Sequence, residues 1–271
     1  MSSAQRTPDP GQRIDIPAVP NLRDIGGYPT ATGGRVRRGQ LYRSTDLTHL
    51  QGADLERFAD LGVRVVFDLR TADERAAEPD VVPEGTEVVV CDVLQDRTGA
   101  APALVLQALG DPAAAERLFG DGRSAQLFEG GYREIVSLPS ALGAYRAFFT
   151  TMAEDVSRPA LFHCTTGKDR TGWAAAATLL LLGVSEADVF HDYELTNRDL
   201  LPALKPLFEQ FRAAGGDPVL LEPVFGVQPA YLRSALDEMD QRFGSIESYF
   251  ADGLGIGPDE QRRSREALVE P

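Results

Sequence analysis

Over the first 163 residues, short β-branched or apolar runs alternate with stretches of helical periodicity, and this alternation narrows the possible folds more than any other feature. Strand-like runs at 39–43, 63–69, 87–93 and 159–163 are separated by helical patterns at 53–61, 101–119 and 141–154. Short strands joined through helices imply an α/β fold, with a central, mostly parallel sheet flanked by helices. After Trp173 strand signals stop, and helices are expected at 172–182, 186–196, 201–214, 229–243, 246–252 and 258–268. The Gly215-Gly216-Asp217-Pro218 break suggests a hinge, which makes 198–225 a candidate helical lid. Residues 1–20 are polar and proline-bearing and read as a flexible arm ahead of a single domain over 21–271.

A chain of 271 residues can bury a core without disulfides, and its two cysteines, Cys91 and Cys164, point to a reducing compartment. The formal net charge of −14 argues against a protein that grips nucleic acid or an anionic membrane. There is no apolar signal region, and the longest apolar stretch, 173–184, has 12 residues against the roughly 20 that span a bilayer. A cytoplasmic location is the expectation, and leaderless secretion would leave no trace in the sequence. All but two of the 27 basic residues are arginine, so the position of Lys168 is informative.

That lysine lies in Leu161-Phe162-His163-Cys164-Thr165-Thr166-Gly167-Lys168-Asp169-Arg170-Thr171-Gly172. A cysteine followed six residues later by arginine is a weak signal alone, since Cys91 and Arg97 share the spacing. Asp92 and Asp96 lie between those two, however, with no glycine and no helix start, and an anion would be repelled there. Around Cys164 a buried strand delivers the cysteine and a strong helix former begins just after the arginine. A short loop wrapped onto a helix N-terminus at the carboxyl end of a strand aims backbone N–H groups at one centre. Thr165, Thr166, Gly167 and Lys168 would line this oxyanion cradle, and Gly167 permits a backbone approach that a Cβ would block. Gly172 would let the helix pack closely on the sheet.

The same field favours the thiolate of Cys164, which becomes a nucleophile able to form a phosphocysteine intermediate, with the planar fork of Arg170 gripping two phosphoryl oxygens. Thr171 can donate to the departing sulfur or cap the helix, and spacing does not choose between them. Asp169 is the nearest proton donor for the leaving group; Asp68 is the alternative, with an ion pair to a neighbouring arginine as its competing role. His163 points to the opposite strand face from Cys164 and suits an orienting role. No metal-ligand spacing is present, and no cofactor or metal is expected. The run Arg35, Arg37, Arg38, Arg43 reads as a solvated surface.

With these residues in view, the chain resembles the bacterial protein tyrosine phosphatase family whose loop reads His-Cys-x-x-Gly-Lys-Asp-Arg-Thr-Gly, of the protein tyrosine phosphatase B type. Asn21-Leu22-Arg23-Asp24-Ile25-Gly26-Gly27, Leu41-Tyr42-Arg43-Ser44, Phe67-Asp68-Leu69-Arg70, the 226–232 stretch and Phe243-Gly244-Ser245 extend the likeness over most of the chain. The resemblance implies the cysteine-based phosphatase fold, Cys164 as nucleophile, Arg170 as phosphate-binding residue and Asp169 as general acid. It implies phosphotyrosyl proteins or peptides as substrates, dual specificity included. Lys168 matches a loop position shared with phosphoinositide phosphatases and leaves phosphoinositides as an alternative substrate. A sulfurtransferase carrying a persulfide and a non-catalytic phospho-binding module are the rival readings.

Overall fold

The apolar runs within 63–69 and 159–163 become inner strands of the sheet, because a strand covered on both faces is mostly apolar. The computed structural model describes residues 9–97 and 108–271. In chain order its strands are Arg23–Asp24 (β1), Arg35–Val36 (β2), Leu41–Ser44 (β3), Val65–Asp68 (β4), Glu87–Val90 (β5), Ala160–His163 (β6) and Val269–Glu270 (β7). The main sheet has the order β1-β3-β6-β4-β5, parallel except for β1. β3, β4 and β6 are buried at every position. Ser44, Asp68 and His163 sit level in the register, so three strands end together at one carboxyl edge. The functional loop leaves the sheet from the central one.

The helices are Gly52–Ala59 (α1), Ala72–Ala77 (α2), Pro112–Phe119 (α3), Arg123–Ser137 (α4), Pro139–Met152 (α5), Arg170–Leu181 (α6), Glu186–Leu200 (α7), Lys205–Ala213 (α8), Glu222–Phe225 (α9), Pro229–Phe243 (α10), Ile246–Ser248 (α11) and Pro258–Leu268 (α12). α6 is apolar all round, and every residue in it but Leu180 is buried. It packs on β3 and β6 and is enclosed by α4, α7, α10 and α11. Trp173 ties it to the C-terminal helices by donating Nε1–H to Tyr249 Oη at 3.2 Å. Phe67, Phe148 and Phe162 fill the sheet side of the core, with ring centroids 4.9 and 5.1 Å apart across Phe148. Among the described residues no helix is long and apolar enough to cross a membrane.

Several local expectations need correcting. α4 has no counterpart in the sequence reading, because Gly130-Gly131 interrupts the helical pattern at its centre. Tertiary packing overrides the glycines: Phe128 stacks on Tyr231 of α10 at 5.3 Å, and Tyr132 lies 5.8 Å from the same ring. The C-terminal part does contain a strand, β7, which pairs antiparallel with β2. At two residues it is too short to leave a periodic signal. Of the arm expected over 1–20, the described part is seated, with Ile16 and Val19 buried against Leu22, Leu47 and Phe58. Residues 101–107 of the helix expected at 101–119 lie outside the described residues. Within 198–225, Phe211, Leu221 and Val224 close a small satellite core with Ala108, Ala115 and Phe119.

Candidate active site

β6 ends at His163 and α6 begins at Arg170, so the intervening loop turns at the carboxyl edge of the sheet with Cys164 at its base. Cys164 is buried. The loop can turn this tightly because of Gly167, whose φ of +67° is left-handed and where a Cβ would stand 2.1 Å from Ser44 O. No other residue fits there without moving β3. Gly172 faces Tyr193 of α7, where a Cβ would meet the ring at 3.2 Å. The close approach it permits is therefore chiefly to a helix and not to the sheet.

The backbone of the loop is oriented carbonyl by carbonyl. Cys164 O lies 3.1 Å from His163 Nδ1, and Thr165 O accepts from Asp46 N–H at 3.1 Å. Thr166 O and Gly167 O accept from Asn21 Nδ2 at 3.4 and 3.1 Å, and Gly167 O also accepts from Arg43 at 2.8 Å. The N–H groups of Thr165, Thr166, Gly167 and Lys168 have no acceptor among the described residues. A run of free amides beside a helix N-terminus can hold an anion.

Arg170, on the first turn of α6, is fixed by a residue the sequence reading missed. Its NH1 and NH2 donate to the two carboxylate oxygens of Glu74 at 2.6 and 2.7 Å. Glu74 Oε1 also accepts from Thr165 Oγ1 at 2.6 Å, and Oε2 accepts from Thr71 N–H at 2.8 Å in the capping box that starts α2. Burial works against the charge of Arg170, yet the Glu74 bond and the Cys164 charge outweigh it and its pKa is raised. Burial likewise disfavours the Glu74 carboxylate, but Arg170 and Thr165 hold it well below the usual range. The Thr71-x-x-Glu74 pattern was visible in the sequence as a cap; its second partner was not.

The remaining expected residues are accounted for individually. Asp169 keeps 27% side-chain exposure and accepts from Lys168 Nζ at 2.9 Å. It faces tyrosines from three helices: burial first and its charge second push Tyr132, Tyr193 and Tyr231 upward. Lys168 is buried, with Nζ 4.0 Å from the centroid of the Phe128 ring. Thr171 is not a cap: its Oγ1 is buried and has no hydrogen-bond partner among the described residues. Asp68 is saturated by Arg70, which donates Nε–H to Oδ1 at 2.9 Å and NH2 to Oδ2 at 2.8 Å. Asp68, Asp80 and His163 are spaced as a metal could use them, but Arg70 also bonds Asp80 at 2.6 Å and serves as the cation there. His163 Nε2 is 3.1 Å from Asp80 Oδ2, on the far side of its strand from Cys164.

Cys91 behaves as the decoy its surroundings suggested, since burial and then Asp68 push its thiol up to about 12, and Arg97 is engaged by Glu134 at 3.1 Å. Arg43, by contrast, is not part of a solvated run. It is fully buried, because its strand is the neighbour of β6 and its guanidinium reaches under the loop.

Comparison with known proteins follows the same lines. A model for the tyrosine phosphatase family matches residues 14–270. A Cupriavidus necator protein whose tyrosine-protein phosphatase name is provisional is 30% identical over 88% of this chain and 82% of its own length. The triple specificity protein phosphatase PtpB of Mycobacterium tuberculosis is 29% identical over 94% of this chain and 98% of its own. A tyrosine-protein phosphatase of Nostoc commune is 30% identical over 66% of this chain and 61% of its own.

Proposed function

The chain belongs to the tyrosine phosphatase family, and from that premise we propose that it hydrolyses phosphotyrosyl proteins or peptides through a phosphocysteine intermediate on Cys164. One observation carries the reading: four successive amides without acceptors among the described residues follow a buried cysteine in a loop that ends in a charged arginine fork. A phosphoryl group seated there meets N–H donors and Arg170 where charge grows on its equatorial oxygens. The Cys164 sulfur attacks phosphorus, the ester P–O bond breaks, and Asp169 gives its proton to the leaving phenolic oxygen. Water then attacks the phosphocysteine, Asp169 takes the proton back, and the S–P bond breaks to release inorganic phosphate.

Asp169 suits the acid role better than Asp68. It stays partly exposed at the rim, whereas Asp68 is closed off by Arg70. Asp169→Asn should slow turnover of a phosphotyrosyl peptide about 100-fold, and that of p-nitrophenyl phosphate, whose phenolate leaves without a proton, by well under about tenfold. Equal losses on both substrates would remove Asp169 from the acid role.

Thr171, with a buried hydroxyl committed to no cap, is left to donate to the sulfur as phosphate departs. Thr171→Val should therefore cost little stability yet slow intermediate breakdown about tenfold or more, so that acid-stable phosphate accumulates on Cys164 in rapid-quench runs. No accumulation would return Thr171 to a packing role.

The triple specificity in the name of the mycobacterial relative leaves wider substrates as an extension of this reading. Phosphoinositides rank behind phosphoproteins here, because the Lys168 ammonium is committed to Asp169 and the Phe128 ring. A second phosphate would have to draw it away from both.

A further inference from the structure

A trans peptide is planar, and its C=O and N–H point in opposite directions. Fixing the carbonyl of one residue outward therefore aims the N–H of the next residue inward. Thr165 O is fixed by a backbone group, Asp46 N–H, but Thr166 O and Gly167 O are fixed by side chains from the far end of the sequence, Asn21 and Arg43. We infer that Asn21 and Arg43 are positioning residues of the phosphate cradle, which turn the Gly167 and Lys168 N–H groups toward the phosphoryl oxygens. The inference rests on the reading of residues 164–170 as a phosphate site.

Asn21 is built for one orientation. It is fully buried and holds φ at 62°, a left-handed value that asparagine tolerates better than most residues. Its Oδ1 accepts from Arg23 NH1, which leaves the amide nitrogen as the end that faces the two loop carbonyls. Arg23 and Arg43 are themselves locked by Asp192 of α7: Arg23 Nε donates to Oδ1 at 3.0 Å, and Arg43 NH1 donates to Oδ2 at 2.6 Å. Arg23 NH2 adds a bond to Asp192 O at 2.7 Å, and Tyr28 Oη donates to Oδ1 at 3.4 Å.

The charges in this layer do not cancel. Two fully buried guanidinium groups share one buried carboxylate, which they hold down at a pKa of about 2 against the effect of burial. Burial and then Arg23 depress Arg43 in turn, with Asp192 opposing. An uncompensated buried cation is costly, and it becomes favourable when an anion arrives on the other side of the Gly167 peptide. A merely structural clamp would need the hydrogen bonds but not the surplus charge.

The test uses the full chain and orthovanadate as the anion probe. Asn21→Gly keeps a backbone that accepts positive φ and deletes only the side-chain amide. It should fold with an unchanged circular dichroism spectrum, while the vanadate inhibition constant and the KM for p-nitrophenyl phosphate both rise by about tenfold or more, and kcat changes less. Arg43→Lys, which keeps the charge but not the paired geometry, should show a smaller rise in the same two constants. In the wild type, amide NMR signals of Gly167 and Lys168 should be among those that shift when vanadate binds. A folded Asn21→Gly enzyme that binds vanadate as the wild type does overturns the inference. So do unmoved Gly167 and Lys168 signals in a vanadate-bound wild type, and this second arm stands even if the variants do not fold. A wild type that neither binds vanadate nor cleaves p-nitrophenyl phosphate rejects the phosphate site itself, which is a distinct outcome.

Discussion

Cys164→Ser should abolish turnover of phosphotyrosyl peptides, with kcat/KM falling by about 1,000-fold or more, while the variant still binds the same peptides. The loss is chemical and not structural. A hydroxyl occupies the position of the buried sulfur without filling more space, but oxygen is a far weaker nucleophile than sulfur here, so the attacking group is lost. The cradle survives the change, because its amides are oriented by Asp46, Asn21 and Arg43 and not by the sulfur. Binding should therefore persist, and Cys164→Ser should capture phosphotyrosyl peptides that the wild type releases. Steady-state assays beside calorimetry on the variant measure both halves. Should the wild type prove no faster than Cys164→Ser, the protein is a phospho-binding module and the nucleophile assignment fails.

Arg170→Lys should lower kcat/KM by about 100- to 1,000-fold with a positive charge still in place. An ammonium cannot supply two parallel donors to a planar oxygen pair, so the lost quantity is geometry and not charge. Glu74 sharpens this expectation, since its carboxylate takes both terminal nitrogens of Arg170 before any substrate enters. An incoming phosphoryl group must share that fork with Glu74 or displace it. Lysine would leave Glu74 with a single partner on that side in addition to Thr165 and Thr71.

The pair also carries a pH signature. The Glu74 carboxyl titrates below its unfolded value, so its contribution to stability is complete above the usual glutamate pKa of about 4.3 and fades on acidification below it. Thermal melts should show Arg170→Lys less stable than the wild type at neutral pH, with the gap narrowing as pH falls below about 4. A gap that widens in acid would mean that Glu74 does not hold Arg170 as its carboxylate.

The parts of the molecule that were legible in the sequence are those whose geometry is local. The strand at 160–163, the glycine-bearing loop and the helix after it follow one another in the chain, so the order of strand end, loop and helix start could be read directly. α10 and α12 fell on their expected bounds because proline starts each of them, and in α10 an apolar face runs from Tyr231 to Met239. α4 did not, since its two central glycines hide a helix that only packing against α10 sustains. Arg43 was misplaced for a related reason. Composition sees a fourth arginine near three others, whereas strand alternation and the neighbouring β6 turn it inward beneath the loop.

The chain alone thus determined that Cys164 would stand at a strand end and Arg170 on the first turn of the next helix, with a tight glycine-bearing loop between them, because a strand, a tight turn and a helix need no distant partner to take that shape. Tertiary structure decided which way each peptide of that turn points and what holds the fork. The groups responsible arrive from 146, 124 and 96 residues away, as Asn21, Arg43 and Glu74. Hydrogen-bond direction depends on atoms brought together by the fold, and sequence spacing carries no record of it.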